Sequence, residues 1–293
     1  MSEIVADVRR FNRTVTQRVG ALSDQYLARE RPLGASRLLW EIGVEGCEVR
    51  TLRSRLGLDS GHLSRLLRLL ERDGLATVEP SRVDRRIRVA RLTEAGVAER
   101  RVLDERSDAL AASMVARVDP DRREELVAAM RTVERLLTAA DVEVAVADPA
   151  GDAAKACLRA YFAELDRRGE HGFDPSAAIS AEPHELRLPA GAFLLATLRG
   201  EAVGCGALKL HGDQPCEIKR MWVAEPARGL GLGRRLLGEL ERLAVDHGAT
   251  VAHIETNHVL VEAMALYRSA GYVEVAPFNA EPFADHWLEK RLR

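Results

Sequence analysis

Residues 216–235 read CEIKRMWVAEPARGLGLGRR, and the fold of the second half of the chain turns on them. The stretch opens as a strand. Ile218, Met221, Trp222 and Val223 are apolar or aromatic, and Glu225-Pro226 ends the pairing because proline has no N–H to give a ladder. Arg228, Gly229, Gly231 and Gly233 come next, then an amphipathic run, RRLLGELERLAVDHG. A strand, a glycine-rich turn and a helix N-terminus together make an anion site. The glycines let the backbone come close, and the first free N–H groups of the helix point at the ligand.

The residues around the glycines narrow the kind of anion. A kinase-type phosphate loop needs Gly-Lys-Ser/Thr, and here Arg234 succeeds Gly233. A dinucleotide fingerprint needs a third glycine three residues after the second; that position is Arg234 or Leu236, depending on the starting pair. Glu255 stands about where a ribose-binding acid would stand, so a nicotinamide site remains a rival reading. A plain strand–helix turn accounts for one glycine, not for three on alternate positions beside an arginine.

Arg228-x-x-Gly231-x-Gly233, followed by Ala263-Met264-Ala265-Leu266-Tyr267-Arg268-Ser269-Ala270-Gly271-Tyr272, resembles the GNAT family of N-acetyltransferases. The first motif is similar to that family's coenzyme loop and the second to its A-x-x-L-Y-x-x-x-G-F/Y signature. The resemblance implies an acetyl-CoA-dependent N-acetyltransferase. Arg228, Gly229, Leu230, Gly231, Leu232, Gly233 and Arg234 would hold the diphosphate. The backbone of Met221, Trp222 and Val223 would hold the pantetheine arm and polarise the acetyl carbonyl. Glu217, six residues before Val223, would be the general base, and Tyr267 the acid that protonates the departing sulfur. Many members place Asn three residues before the alanine of the second signature. This chain has Leu260 there and Asn257 three residues earlier, so Asn257 is the candidate for that coenzyme contact. Read without the resemblance, Glu217 is equally a surface carboxylate on a strand and Tyr267 a buried helix aromatic.

The chain has 293 residues, enough for two ordinary domains. Its formal charge of −2 hides an asymmetry. Residues 1–140 hold 26 arginines, no lysine and 22 acids, a net of +4, whereas the remainder holds 17 basic and 23 acidic residues. The first lysine is Lys155, which argues for a joint near residue 140. Cys47, Cys157, Cys205 and Cys216 form no C-x-x-C pair or metal-ligand spacing, and neither do His247, His253 and His258. Reduced thiols, no metal and a cytoplasmic location are expected. No run approaches ~18 apolar residues, so no membrane span is expected. The N-terminus lacks the apolar core of a signal peptide.

Upstream, Ile4, Val8, Phe11, Val15, Val19 and Leu22 recur at helical steps and predict a helix over 3–30, ended by Pro32. Helical patterns recur at 35–42, 49–56 and 61–73, with Gly57 between the second and third. The last has Leu63, Leu66, Leu67 and Leu70 on one face, with Ser60, His62, Ser64, Arg65 and Arg68 on or near the other. Asp59 or Ser60 would cap its start and Gly74 its end. Then LATVEPS and RIRVARLT alternate as a hairpin with Arg82, Arg85 and Arg86 at its tip. From Arg50 to Arg91 there are 11 arginines and 5 acids. Such a helix fits a major groove and such a tip a minor groove or phosphate backbone; a solvated arginine face is the plainer reading. This layout resembles the MarR family of winged helix-turn-helix regulators, carried by residues 60–68, Gly74-Leu75, Asp84-Arg85-Arg86 and Leu92-Thr93-x-x-Gly96. The resemblance implies a homodimer on a pseudo-palindromic DNA operator, built from the first helix and two later ones, at 94–118 and 121–140.

Downstream, a strand at 142–147, a helix at 153–168, a loop at 169–183 and strands at 193–198 and 202–208 are expected. Arg199-Gly200 is a hairpin signal, and Gly204 and Gly206 mark a bulge or close packing. Tyr272–Val275 and His286–Leu292 would be the last strands, with Asn279, Phe283 and His286 toward the acceptor. The fold class is therefore multidomain: a mostly α winged helix-turn-helix domain over 1–140 and an α/β acyl-CoA N-acyltransferase domain over 141–293. The expected function is a DNA-binding regulator that also acetylates a primary amine, either a small molecule or a protein lysine. A regulator whose second domain only senses acetyl-CoA or an amine is the alternative, and an acetyltransferase whose first half only dimerises is another.

Overall fold

A computed structural model describes residues 2–21, 26–29, 31–169, 172–179 and 181–292. The chain divides into two compact units, Met1–Arg131 and Thr132–Arg293. The division falls inside a helix, Arg123–Ala140.

The first unit opens with α1 (Ser2–Arg18). This helix is shorter than the periodicity predicts, because Gly20 turns the backbone left-handed at φ 69°. Leu22 lies outside the described residues. Pro32 does not close α1; it stands at the N-cap of α2 (Leu33–Ile42), where a missing N–H costs nothing. The apolar stripe Ile4, Val8, Phe11 and Val15 is exposed. After β1 (Cys47–Glu48), α3 (Val49–Leu56) ends at Gly57 in the left-handed conformation. α4 (Ser60–Arg72) then starts with the Asp59 carboxylate accepting the His62 N–H at 2.8 Å.

Leu63, Leu66, Leu67 and Leu70 of α4 are buried with Leu38, Leu39 and Ile42 of α2 and Leu52 of α3. Burying each such side chain stabilises by roughly 1.5–3 kcal/mol. β2 (Ala76–Pro80) and β3 (Arg88–Leu92) form the expected hairpin, and β1 adds to give the order β1-β3-β2. α5 (Glu94–Ala116) begins under a double-duty threonine. The Thr93 hydroxyl accepts the Gly96 N–H and donates to the Gly74 carbonyl. Glycine is required at 96 for space, since a Cβ there would lie 1.9 Å from the Leu75 carbonyl oxygen. α6 (Arg123–Ala140) is the helix that carries the division.

The second unit is a seven-stranded sheet in the order β4-β5-β6-β7-β8-β10-β9. These strands are β4 (Val142–Val146), β5 (Gly191–Leu198), β6 (Glu201–His211), β7 (Gln214–Val223), β8 (Val251–Thr256), β9 (Val273–Glu274) and β10 (His286–Arg291). All neighbours are antiparallel except β7 and β8. The parallel pair is joined by a crossover through α8 (Leu232–Asp246). α7 (Asp152–Arg168) and α9 (Val261–Ser269) complete the unit.

Strand alternation divides the core. Ala192, Leu194 and Ala196 of β5 join Leu236, Leu237 and Leu240 of α8, whereas Phe193 and Leu195 join Ala154 and Cys157 of α7. Arg199 and Gly200 both have positive φ, as a two-residue hairpin loop demands. Gly204 and Gly206 are small because α8 lies close: a Cβ on Gly206 would come within 2.8 Å of both Leu240 and Met221.

Candidate functional site

The cleft of the second unit begins with an interrupted ladder. β7 and β8 pair only at Cys216–Ala252 and Glu217–His253, although β7 runs on to Val223. On its other edge β7 carries one extra residue against β6, between Lys219 and Trp222. Arg220 absorbs that bulge at φ 56°, a conformation that costs a non-glycine residue roughly 1–2 kcal/mol. Two residues past the last backbone pair, Lys219 and Glu255 bridge β7 and β8 through their side chains.

Next to this opening lies a groove of about 500 Å³ lined by Met221, Trp222, Val223, Arg228, Gly229, Gly231 to Arg234 and part of α9. Gly231 is the N-cap of α8 in the left-handed conformation, and Gly229 is also left-handed. The first bond onto the α8 N-cap runs from the Arg235 N–H to the Gly231 carbonyl. The N–H groups of Leu232, Gly233 and Arg234 therefore lack an intrahelical acceptor at the groove. Arg228 is held rather than free: it donates to the Val223 carbonyl and to both oxygens of Glu164. Glu164 also accepts the Trp222 indole N–H at 2.9 Å. Arg168 pairs with Glu164 and Glu262 at the same wall, and Arg234 donates to Ser269. Leu230 packs on the core and does not line the groove.

On the far side of the opening is a chamber of about 340 Å³. Groove and chamber share Tyr161, Leu165, Met221, Leu260, Ala263 and Tyr267 as wall residues. A row of aromatic rings crosses the chamber: Tyr161, Phe162, Phe173 and Phe283, with successive centroids 5.3, 5.6 and 4.7 Å apart. Its charged wall is Lys219, Arg220, Glu255 and Glu281. The Glu255 side chain is 8% exposed, and its Oε2 is buried without a hydrogen-bond partner. Burial alone favours neutral Lys219, but Glu255 and Glu217 outweigh it and raise its pKa above the ordinary lysine value. Burial also pushes the Tyr267 phenol up, with Glu255 adding to the effect, so Tyr267 keeps its proton at neutral pH.

Of the residues singled out in sequence, Tyr267 and Met221 stand where groove and chamber meet, and Trp222 and Val223 line the groove. Glu217 lines neither space. It sits at the closed end of the β7–β8 seam, held by Lys219 at 3.3 Å and His211 at 3.2 Å. Asn257 lines the chamber rather than the groove, and its amide serves the chain, bonding the Phe283 carbonyl and the Val259 N–H. Phe283 lines the chamber. Asn279 and His286 do not: they accept from Trp287 and bond Glu274. The nicotinamide rival is overturned, because Glu255 faces the chamber and not the α8 terminus, and β7 has an antiparallel neighbour. Among the described residues no group of three or more His, Cys, Asp and Glu side chains is placed for a metal ion, and no helix is long and apolar enough to cross a membrane.

In the first unit Ser60, His62, Ser64, Arg65 and Arg68 of α4 are all exposed, as are Arg82, Arg85 and Arg86 at the hairpin tip. Arg68 folds back onto the Ser64 carbonyl, and Asp84 caps the Arg86 N–H.

The profile of the Acetyltransferase (GNAT) family matches residues 158–272. An "IAA acetyltransferase" of Azospirillum brasilense is 34% identical over 117 residues, 40% of this chain and 76% of that protein. The chain belongs to the GNAT acetyltransferase family. An "uncharacterized N-acetyltransferase", YjgM of Escherichia coli K12, is 31% identical over 122 residues, 40% of this chain and 73% of that one. An acetyltransferase of the GNAT family from Staphylococcus aureus Mu50 superposes with a TM-score of 0.45 at 16% identity, covering 52% of this chain and 99% of that one. The MarR family profile matches residues 31–87, so a MarR segment precedes the GNAT segment on one chain.

Within the GNAT segment, sequence reasoning missed Tyr161, Glu164, Lys219 and Arg220, and raised Glu255 only for the nicotinamide rival. No local sequence signal marks the charged wall; it follows from the register of the folded sheet, where Glu217 opposite His253 puts Lys219 opposite Glu255.

Proposed function

We propose that the second unit transfers the acetyl group of acetyl-CoA to a primary amine, with the groove holding the coenzyme and the chamber the acceptor. The observation that carries this is the helix terminus. Three amide N–H groups without intrahelical acceptors, preceded by two left-handed glycines, open onto a groove that meets a charged, aromatic chamber at Tyr267. These residues fit a diphosphate, since a Cβ on Gly229 or Gly231 would touch nothing within 4 Å and the space beside them is open. Arg228 acts through the ion pair with Glu164, fixing Val223 and Trp222 along the groove. Acetyl-CoA supplies an acetyl group activated as a thioester.

The chain supplies the proton handling. Glu255 lines the chamber and Glu217 does not, so Glu255 takes the base role that the resemblance gives to Glu217. The acceptor ammonium yields one proton to Glu255, which passes to solvent. A second proton is released as the N–C bond forms. It balances the proton that Tyr267 gives the sulfur as the C–S bond breaks. The sulfur leaves easily, with a thiol pKa near ~8.5, so the Tyr267 proton is a modest aid.

The first unit binds DNA in this reading, α4 in a major groove and the 82–86 tip against phosphate or a minor groove. Its dimer partner would cover the exposed apolar stripe of α1. Calorimetry of the full chain with acetyl-CoA, followed by thiol release across an amine library, tests the enzyme half. An absence of coenzyme binding would overturn it, and thiol release absent with every amine would leave only a sensor.

A further inference from the structure

The chamber holds both signs of charge, and acetyl transfer to a simple amine needs only one. Glu255 offers a buried carboxylate oxygen with no partner. Arg220 offers a guanidinium that lies over the Phe162 ring and spends one N–H on the Ala181 carbonyl at 3.0 Å. Among the described residues no carboxylate forms an ion pair with Arg220. Burial pulls its pKa below the ordinary arginine value, the mark of a cation removed from water without full compensation. The bulge explains how it came there. Along a regular strand Lys219 and Arg220 would face opposite ways; the extra residue at positive φ turns both, with Met221, onto the chamber wall. Beside these charges runs the ring row Phe162, Phe173 and Phe283. Lys219 is already shared between Glu217 and Glu255, so the unmet valences are one anionic oxygen and one guanidinium edge.

We infer that the acceptor is a free α-amino acid with a large apolar or aromatic side chain. Its carboxylate pairs with Arg220, its ammonium faces Glu255, and its side chain lies on the ring row. The chamber volume of about 340 Å³ suits a ligand of that size. An acceptor without a carboxylate, a protein lysine included, leaves Arg220 desolvated and unmatched. The inference rests on the acetyl-transfer reading above; it names that site's acceptor.

The test uses the full chain with three acceptors sharing one ring: phenylalanine, phenylalaninamide and 2-phenylethylamine. Thiol release is followed for each. Phenylalanine should exceed the other two by about 10- to 100-fold in kcat/KM, the worth of a charge-assisted hydrogen bond in a buried site. Arg220→Gln should bring that ratio close to one, and Arg220→Lys should restore part of it, with melting temperature and coenzyme titration reporting that each variant is folded. Equal turnover of all three acceptors sinks the amino-acid inference and leaves acetyl transfer standing. Should none be turned over, calorimetry decides. Phenylalanine heat that vanishes in Arg220→Gln sustains the inference and sinks catalysis, while no heat with phenylalanine in the wild-type chain sinks the inference too.

Discussion

The outer face of α4 and the cleft beside β7 both depend on charged side chains, and they deploy them in opposite ways. On α4 and the hairpin tip the candidate contact residues are exposed, and the helix presents them on a regular spacing. In the cleft the charges are mostly committed to each other: Lys219 and Glu255 are buried together, with Glu217 beside them, and the buried Glu164 holds Arg228, whose outer edge stays exposed. An exposed cation interacts at long range and yields to salt; a buried, paired one has little long-range field and a strict geometry. The first arrangement suits a polyanion of fixed shape. The second suits a small ligand whose every polar atom must be met.

The sharpest way to break this contrast is Glu255→Gln. It should lower kcat/KM for acetyl transfer by about 100-fold or more, the scale of a lost general base. Glu217→Gln should cost far less, since Glu217 does not reach the cleft. Steady-state thiol release compares the two, and equal losses would return the base to Glu217.

A buried charge cluster among the described residues of the first unit tests whether the contrast belongs to the site type or merely to the unit. Glu99 accepts from both Arg29 and Arg31, at 2.7 and 2.8 Å, with its side chain 8% exposed. Those arginines, Arg29 foremost, lower its pKa. A depressed carboxylate pKa gives stability that is present above the unfolded value of about 4.3 and lost as pH falls through the lower folded value. Glu99→Gln should cost about 3 kcal/mol at pH 7. In thermal melts the gap from wild type should close as the pH drops below about 4.

Next in size is the exposed face itself. Arg65→Ala and Arg86→Ala should each weaken operator binding by roughly 1–3 kcal/mol or flatten its salt dependence, without changing thiol release. Binding titrations at several salt concentrations separate the two outcomes. If neither variant alters binding or its salt slope, α4 is only a solvated arginine face.

The smallest effect is expected at Gly231→Ala. An L-residue at φ 77° costs about 1–2 kcal/mol, and the added methyl meets open space. Folding stability should fall by about that amount, read in thermal melts.

The two regions were also unequally legible. α4 could be read almost residue by residue, because Leu63, Leu66, Leu67 and Leu70 announce a buried face and thereby define its opposite, and Asp59 announces the cap. The glycine loop before α8 was legible for a different reason: left-handed backbone selects glycine, so Gly229 and Gly231 are written into the sequence by local geometry. The chamber was not. Lys219 meets Glu255 only after the α8 crossover, and Arg228 meets Glu164 from another helix, pairings that no local pattern encodes. The bulge at Arg220 was invisible as well, since nothing about arginine predicts positive φ; its side chain faces the chamber only because β7 is one residue too long for β6. α1 failed as a long helix because apolar periodicity continued past Gly20, where the backbone did not.

The short seam between β7 and β8 has a mechanical side. A sheet of seven strands sewn along a single line by one brief run of stitches is, under load, two panels and a zipper. Among the seams that join β4 to β10, this one would part first under a pull across the strands. A molecule laid into the slit would act as a patch across both panels, so tension, and not heat alone, would report whether the patch is in place.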